Sequence, residues 1–353
     1  SSYGDAAITD LDASGTPSGN VYVTSTNGAI TDNDGGSAMN PGSPDYDITA
    51  NAAVLSASGN IGTQGADPTD YTGAIDTNVT FLTAHSAASG PNSGIFVDEK
   101  DAIILTDVEA TTGNVEVVAS GEINANTVVA GNFAAIVSGD IQLDSVTGDI
   151  TGILNGGNIN VGSITSGGEV LVATGNGAIT AITVPASNIA AASAVLMATA
   201  GIGDTNALET AVGSLAAKNE AVPPAGTSGD IGITNTGSLT LKDANIIDSK
   251  VQAWGYAVNN AGGNVDIEAH SPLTVSADVL AAGNITLVAG NSASTTTADD
   301  LTINADIKSS VSNSAINLTA GDSITQAAGT TVGSDGTATG QSHSDTRHNA
   351  YPR

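Results

Sequence analysis

The chain has 353 residues, 43 of them Gly and none Cys, with 7 Lys plus Arg against 36 Asp plus Glu and a formal net charge of -29. Such a surface cannot neutralise a phosphate backbone, which excludes nucleic acid as a partner, and the missing Cys removes disulfide frameworks, thiolate metal sites and Cys nucleophiles. With 40 % hydrophobic but only 3 % aromatic residues, the chain is too apolar for a disordered acidic tail, and its core must be built from Ala, Val, Ile and Leu. Apolar runs stay far below the roughly 20 residues of a spanning helix, so no membrane insertion is expected. No secretory signal pattern stands at Ser1.

In chain order, short stretches of period two recur. They include Val21-Tyr22-Val23, Val115-Glu116-Val117, Ile159-Asn160-Val161, Val265-Asp266-Ile267, Ile285-Thr286-Leu287 and Ile316-Asn317-Leu318. Alternation over a few residues is the mark of a half-buried strand. Gly-Asn precedes the strand at Gly19-Asn20, Gly59-Asn60, Gly113-Asn114, Gly263-Asn264 and Gly283-Asn284, and both residue types suit the bend between strands. Two Ala-rich stretches, 188–200 and 207–218, carry a helical composition. The first aligns with the strand-like 48–59 and the second with 74–84, where Val79-Thr80-Phe81-Leu82-Thr83 reads as strand. Both are therefore predicted to be strands, with a turn near 204–206.

A longer repeat overlies these strands. Residues 20–31 reappear at 169–180 and residues 48–62 at 189–203; Ile95-Phe96-Val97 matches Ile231-Gly232-Ile233, and 113–117 matches 263–267. The copies occupy about 20–165 and 169–315, a third begins near Ile316, and a polar tail follows at 336–353. Drifting offsets place insertions in loops. Small apolar residues at alternate positions and Gly or Asn at the corners predict an all-β fold: a single elongated parallel β-solenoid running over 1–335. Such a repeat buries its apolar face only against its neighbours. At about 20 residues per coil the chain would make on the order of 16–18 coils, a rod about 80 Å long.

One cassette carries a family resemblance. It runs through Ala53–Gly62, Phe81–Ala84 and Gly94–Leu105, and again through Ala194–Gly203, Ser214–Ala217 and Gly229–Leu241. Together with the Gly-Asn strands it resembles the repeat region of filamentous-haemagglutinin-like exoproteins and giant surface adhesins of Gram-negative bacteria, over most of residues 5–330. The resemblance implies a right-handed parallel β-helix, secretion and a cell-surface location. It implies no single activity. The Asn-Pro-Asn-Gly motifs of that family's secretion domain are absent, so the chain resembles the repeat shaft.

Chemistry is thinly spread. A polysaccharide lyase on such a fold would need a cationic cluster, yet the cations are only Lys100, Lys218, Lys242, Lys250, Lys308, Arg347 and Arg353. A glycosidase would need a spaced carboxylate pair, for which Asp98 with Glu99, Asp299 with Asp300 and Asp243 with Asp248 are the candidates. His85 and His270 follow strands in loops, and His343, Asp345 and His348 sit in the polar tail. No nucleophile elbow accompanies them. Calcium is the one ion the pattern favours. It takes oxygen ligands, and Asp32, Asn33, Asp34, Asp45 and Asp47 gather around one loop, although neither an EF-hand nor a glycine-rich nonapeptide repeat is present. Trp254 and Tyr256 form the only aromatic pair near a loop; they would plug a corner or stack on a sugar.

The sequence therefore predicts a non-enzymatic, extracellular structural protein without a cofactor, calcium aside. It would be the β-solenoid shaft of a surface adhesin, or a filament subunit assembling end to end with copies of itself. The alternatives are a glycan- or cell-binding module using loops 33–46, 65–73 and 250–262, and a polysaccharide-degrading enzyme.

Overall fold

The computed structural model describes residues 2–15, 19–34, 46–63, 73–90, 92–137, 141–143, 146–155, 157–182, 187–220, 229–248, 251–290, 299–334 and 342–346. The protein is almost all β, a parallel β-solenoid. Among the described residues every strand pairing with an assigned register is parallel, joining strands of successive coils. The chain forms two compact units, Ser1–Asn160 with Ile164–Ser166, and Val161–Ser163 with Gly167–Arg353.

In the first unit, Asn20–Ser25 pairs with Ile48–Ala57, which pairs with Ile75–Ser86, then Ile103–Ala119, Val128–Val137 and Val146–Asn155. Period two puts alternate side chains inward, and register stacks them into columns. One column runs Val23, Leu55, Ala84, Val108, Val128, Val146 and Ile164, all buried. Every member is an aliphatic side chain, most of them Val, so the column fills the interior without widening the coil. Each fully buried Leu, Ile or Val contributes about 1.5–3 kcal/mol of transfer free energy, and this is the main source of cohesion in a chain with so few aromatic residues.

In the second unit the coils are triangular. Val265–Ala269, Leu273–Val275 and Val279–Ala281 form three sides of one coil, and their partners Ile285–Ala289, Leu301–Ile303 and Ile307–Ser309 form the next. Ile233, Ile267, Leu287 and Leu318 make a buried column. The Ala-rich segments are strands, Ile189–Ala198 and Leu208–Asn219, paired with each other as the alignment predicts.

Two features differ from the sequence reading. A single helical turn, Ala244–Ile247, covers the outer face of the sheet and packs Ala244 and Ile247 on Val195 and Ala216. That is why three consecutive residues, Ala194, Val195 and Leu196, are buried where alternation predicts two. Part of the expected tail is also ordered: Ser342–Thr346 pairs with Ile316–Ala320.

The internal repeat is visible strand by strand. Ile30–Asp32, Ile48–Ala57 and Ile75–Ser86 have the same lengths as Ile179–Ala181, Ile189–Ala198 and Leu208–Asn219. The bridges Ile30 to Ile61 to Ile95 recur as Ile179 to Ile202 to Ile231. The corner after each middle bridge is a left-handed glycine: Gly62 has φ +71° and Gly203 has φ +61°. A Cβ on Gly62 would sit 2.4 Å from the Phe96 carbonyl oxygen, and one on Gly203 2.2 Å from that of Gly232. Both the φ and the contact with backbone forbid a side chain. Gly62→Ala and Gly203→Ala should each destabilise their own unit by at least about 1–3 kcal/mol, measured by urea denaturation. Wild-type stability in both variants would show that these corners relax freely.

Candidate metal centre

The loop singled out for calcium starts at the end of strand Ile30–Asp32 and returns just before strand Ile48–Ala57. Asp32 and Asp34 form a tight turn in which the Asp34 amide donates to Asp32 Oδ1 at 2.8 Å. Asp47 lies at the mouth of the next strand with its side chain turned into the stack, 1 % exposed. One carboxylate oxygen each from Asp32, Asp34 and Asp47 lie within 4.8 Å of one another. Asn33 has another role: its backbone amide donates to Ile8 O at 3.0 Å and its side-chain amide to Thr9 Oγ1 at 3.2 Å. It ties the turn to the preceding strand. Asp45 lies outside the described residues.

The two oxygens of Asp47 differ. Oδ2 accepts the Asp76 backbone amide at 3.0 Å, whereas Oδ1 is buried and has no hydrogen-bond partner among the described residues. Burial pushes the Asp47 carboxyl up to about 8; the Asp76 amide works against this, and the nearby carboxylates of Asp32, Asp76 and Asp34 add to it. A buried carboxylate without a donor for one oxygen is costly unless a proton or a cation compensates it.

Three further acids lie beside this centre: Asp76, which sequence reasoning missed, and Asp98 and Glu99, which it had paired only as glycosidase candidates. Asp76 and Asp98 are register partners on successive coils and both are buried. Glu99 is buried too, but both its oxygens are served: Oε2 accepts Thr77 Oγ1 at 2.8 Å and the Val79 amide at 3.1 Å, and Oε1 accepts the Asp101 amide at 3.1 Å. Burial raises its carboxyl to about 7, against these three donors. All six residues of Gly94–Glu99 are buried, which breaks the alternation that would have placed either Asp98 or Glu99 outside. The usable signal lay in the repeat alignment, which sets Asp47 against Asn188.

The other candidates stay apart or are engaged. Asp243 accepts the Trp254 and Gly255 amides, each at 2.8 Å, and Ser323 Oγ donates to Asp300 Oδ1. Lys100 pairs with Asp101 at 3.7 Å and lies 5.5 Å from the Tyr46 ring centre. Lys308 pairs with Asp306 at 2.7 Å, and Lys218 with Glu220. His85 lies 3.3 Å from Asp107, and His270 3.5 Å from Glu268. Lys250, Arg347, His348 and Arg353 lie outside the described residues, as does most of loop 65–73. Trp254 and Tyr256 stack obliquely, ring centres 5.9 Å apart, with Trp254 resting on the apolar patch under the helical turn. Among the described residues no helix is long and apolar enough to cross a membrane.

No protein-family model, curated protein or solved structure matches the chain.

The raised Glu99 carboxyl has a pH signature. The folded protein holds the proton up to about 7 while the unfolded chain releases it near the ordinary Glu value of 4.5. Between these values the native state binds more protons, so stability falls as pH rises through that window and levels off above it. Relative to Glu99→Gln, the wild type should lose on the order of 3 kcal/mol from pH 4.5 to pH 7, read from urea denaturation in chelator. Parallel stability curves for the two proteins would mean that Glu99 titrates as an ordinary surface acid.

Proposed function

We propose that the chain is a non-enzymatic structural protein, the β-solenoid shaft of an extracellular surface adhesin or the subunit of a cell-surface filament. The observation that carries this reading is the stacking itself. In each unit, strand follows strand in parallel register, with apolar columns inside and Thr, Ser, Asn and Asp alternating outward. Lateral pairing of every coil gives stiffness along the stacking direction, and a surface with a net charge of -29 keeps neighbouring sheets apart in solution. The cassette's resemblance to filamentous-haemagglutinin-like repeats supports secretion and a surface location. The enzymatic alternative has less support, because Asp98 and Glu99 are buried and Asp243 is occupied by backbone amides.

Loop 250–262 favours a second reading, a glycan-binding module. Asp243 clamps the backbone at Trp254 and Gly255. The Trp254 and Tyr256 rings are thereby held as a preformed aromatic surface, with Lys218 Nζ 5.6 Å from the Trp254 ring centre. Such rings offer an apolar face with a polar rim, the surface a sugar stacks on.

Electron micrographs of the purified protein should show elongated particles that join axially at high concentration. Compact particles would overturn the shaft reading, and separate rods at every concentration would overturn self-assembly. For the glycan reading, Tyr256→Ala should weaken attachment to immobilised polysaccharide at least about tenfold, a change of 1.4 kcal/mol; unchanged attachment would remove it.

A further inference from the structure

We propose that Asp32, Asp34 and Asp47 bind a divalent cation of the calcium type at the start of the first unit. The repeat supplies an internal control. Asp47 immediately precedes Ile48, which pairs with Thr77, and Asn188 immediately precedes Ile189, which pairs with Thr210. Asp47 Oδ2 accepts the Asp76 amide at 3.0 Å, and Asn188 Oδ1 accepts the Glu209 amide at the same distance. The two side chains thus do the same structural work at one end. At the other end they diverge. Asn188 Nδ2 donates to the carbonyl oxygens of Val161 and Gly162, at 3.0 and 3.1 Å. In Asp47 the corresponding atom is an oxygen, buried and without a donor among the described residues.

The fold therefore needs only an amide here. The first unit replaces it with an acid, and it also carries Asp32 where the second unit has Ala181, and Asp34 where the second has Thr183. Three carboxylates converge on a spot that the second unit leaves neutral. A proton on Asp47 would satisfy Oδ1 but would give no reason for Asp32 and Asp34 to gather there. A divalent cation accounts for all three.

A second acid-for-amide exchange sharpens the contrast. Glu99 stands where the second unit has Asn235, and each accepts a Thr hydroxyl and a Val amide on one oxygen. The donor end of Asn235 serves the carbonyl oxygens of Thr236, Gly237 and Ser238. In Glu99 the other oxygen accepts the Asp101 amide. That exchange is compensated within the protein, and the exchange at Asp47 is not.

Ligand chemistry selects the ion. The three groups offer only carboxylate oxygen, which suits hard cations and excludes a zinc-type site built on imidazole or thiolate. Ligands of one calcium ion at about 2.3–2.6 Å can stand up to roughly 5 Å apart, whereas two ligands of magnesium at about 2.0–2.1 Å reach only about 4.2 Å. The three oxygens lie within 4.8 Å of one another, close enough to share one calcium ion. Backbone and water oxygens would complete a calcium shell of 6–8.

The test is calorimetric titration of the chelator-treated full chain with calcium chloride, alongside thermal melts with and without calcium. The wild type should take up calcium at one saturable site and melt at a higher temperature when loaded. Asp34→Asn, a change at an exposed residue, should weaken uptake at least tenfold. Asp47→Asn installs the amide that the second unit already uses, so it should fold normally, lose saturable uptake and lose the melting shift. Asp107→Asn, an exposed acid elsewhere, should bind as the wild type does, and magnesium should compete only at much higher concentration. Equal calcium uptake by the wild type, Asp34→Asn and Asp47→Asn would overturn the site in favour of diffuse screening. Absence of saturable uptake by the wild type would overturn it in favour of a protonated Asp47.

Discussion

Register governs this molecule. In a parallel stack a side chain that points inward is enclosed by its own coil and the coils on either side, so whatever it needs must come from those neighbours. For Val23, Leu55, Ala84 and Val108 the requirement is only volume, and aliphatic side chains meet it. For Thr77, Asn188, Thr210 and Asn235 it is a set of hydrogen bonds, supplied by side chains and backbone groups of adjacent coils. The lack of aromatic side chains follows from the same constraint. A coil of about 20 residues encloses little more than one layer of branched aliphatic side chains, and among the described residues only two rings, Phe96 and Phe133, are fully enclosed.

Much of this was legible in the sequence because register makes the repeat visible. A strand that pairs with its predecessor keeps its phase, so insertions are confined to corners and the offset between copies drifts only at loops. That logic turned the Ala-rich segments at Ile189–Ala198 and Leu208–Asn219 into strands against their composition. Helix propensity is a weak local preference, and continuous pairing on both sides overrides it. The turn Ala244–Ile247 was not legible, since four residues carry no period. Nor was the pairing of Ser342–Thr346, whose polar residues show no apolar alternation.

The candidate centre divides along the same line. Asp32, Asp34 and Asp47 stood out because they flank one loop, and proximity along the chain survived in space. Asn33 was drawn in by that same proximity, yet alternation along the turn sends its side chain to Thr9. Asp76 was passed over, and Asp98 and Glu99 were paired only as glycosidase candidates, because acids beside a strand read as solvated corners. Their burial depends on which coil lies above and below, and no single stretch of sequence contains that information.

Two copies of one cassette make the energetic question sharper than a single site could. Both copies use an oxygen to accept the same backbone amide, so the acceptor is what the fold demands. The second oxygen of an acid adds nothing to that task, and its burial is unfavourable without a partner. Copies that descend from one cassette have no structural reason to differ there. An acid retained at Asp47, beside two more acids absent from the other copy, therefore points to a ligand outside the chain. The same reasoning explains why Glu99 is not such a place: the Asp101 amide has moved in to serve its second oxygen, and the exchange has been absorbed by the protein. At Glu99 the chain itself answers the extra oxygen, through the amide two residues on; at Asp47, among the described residues, none does.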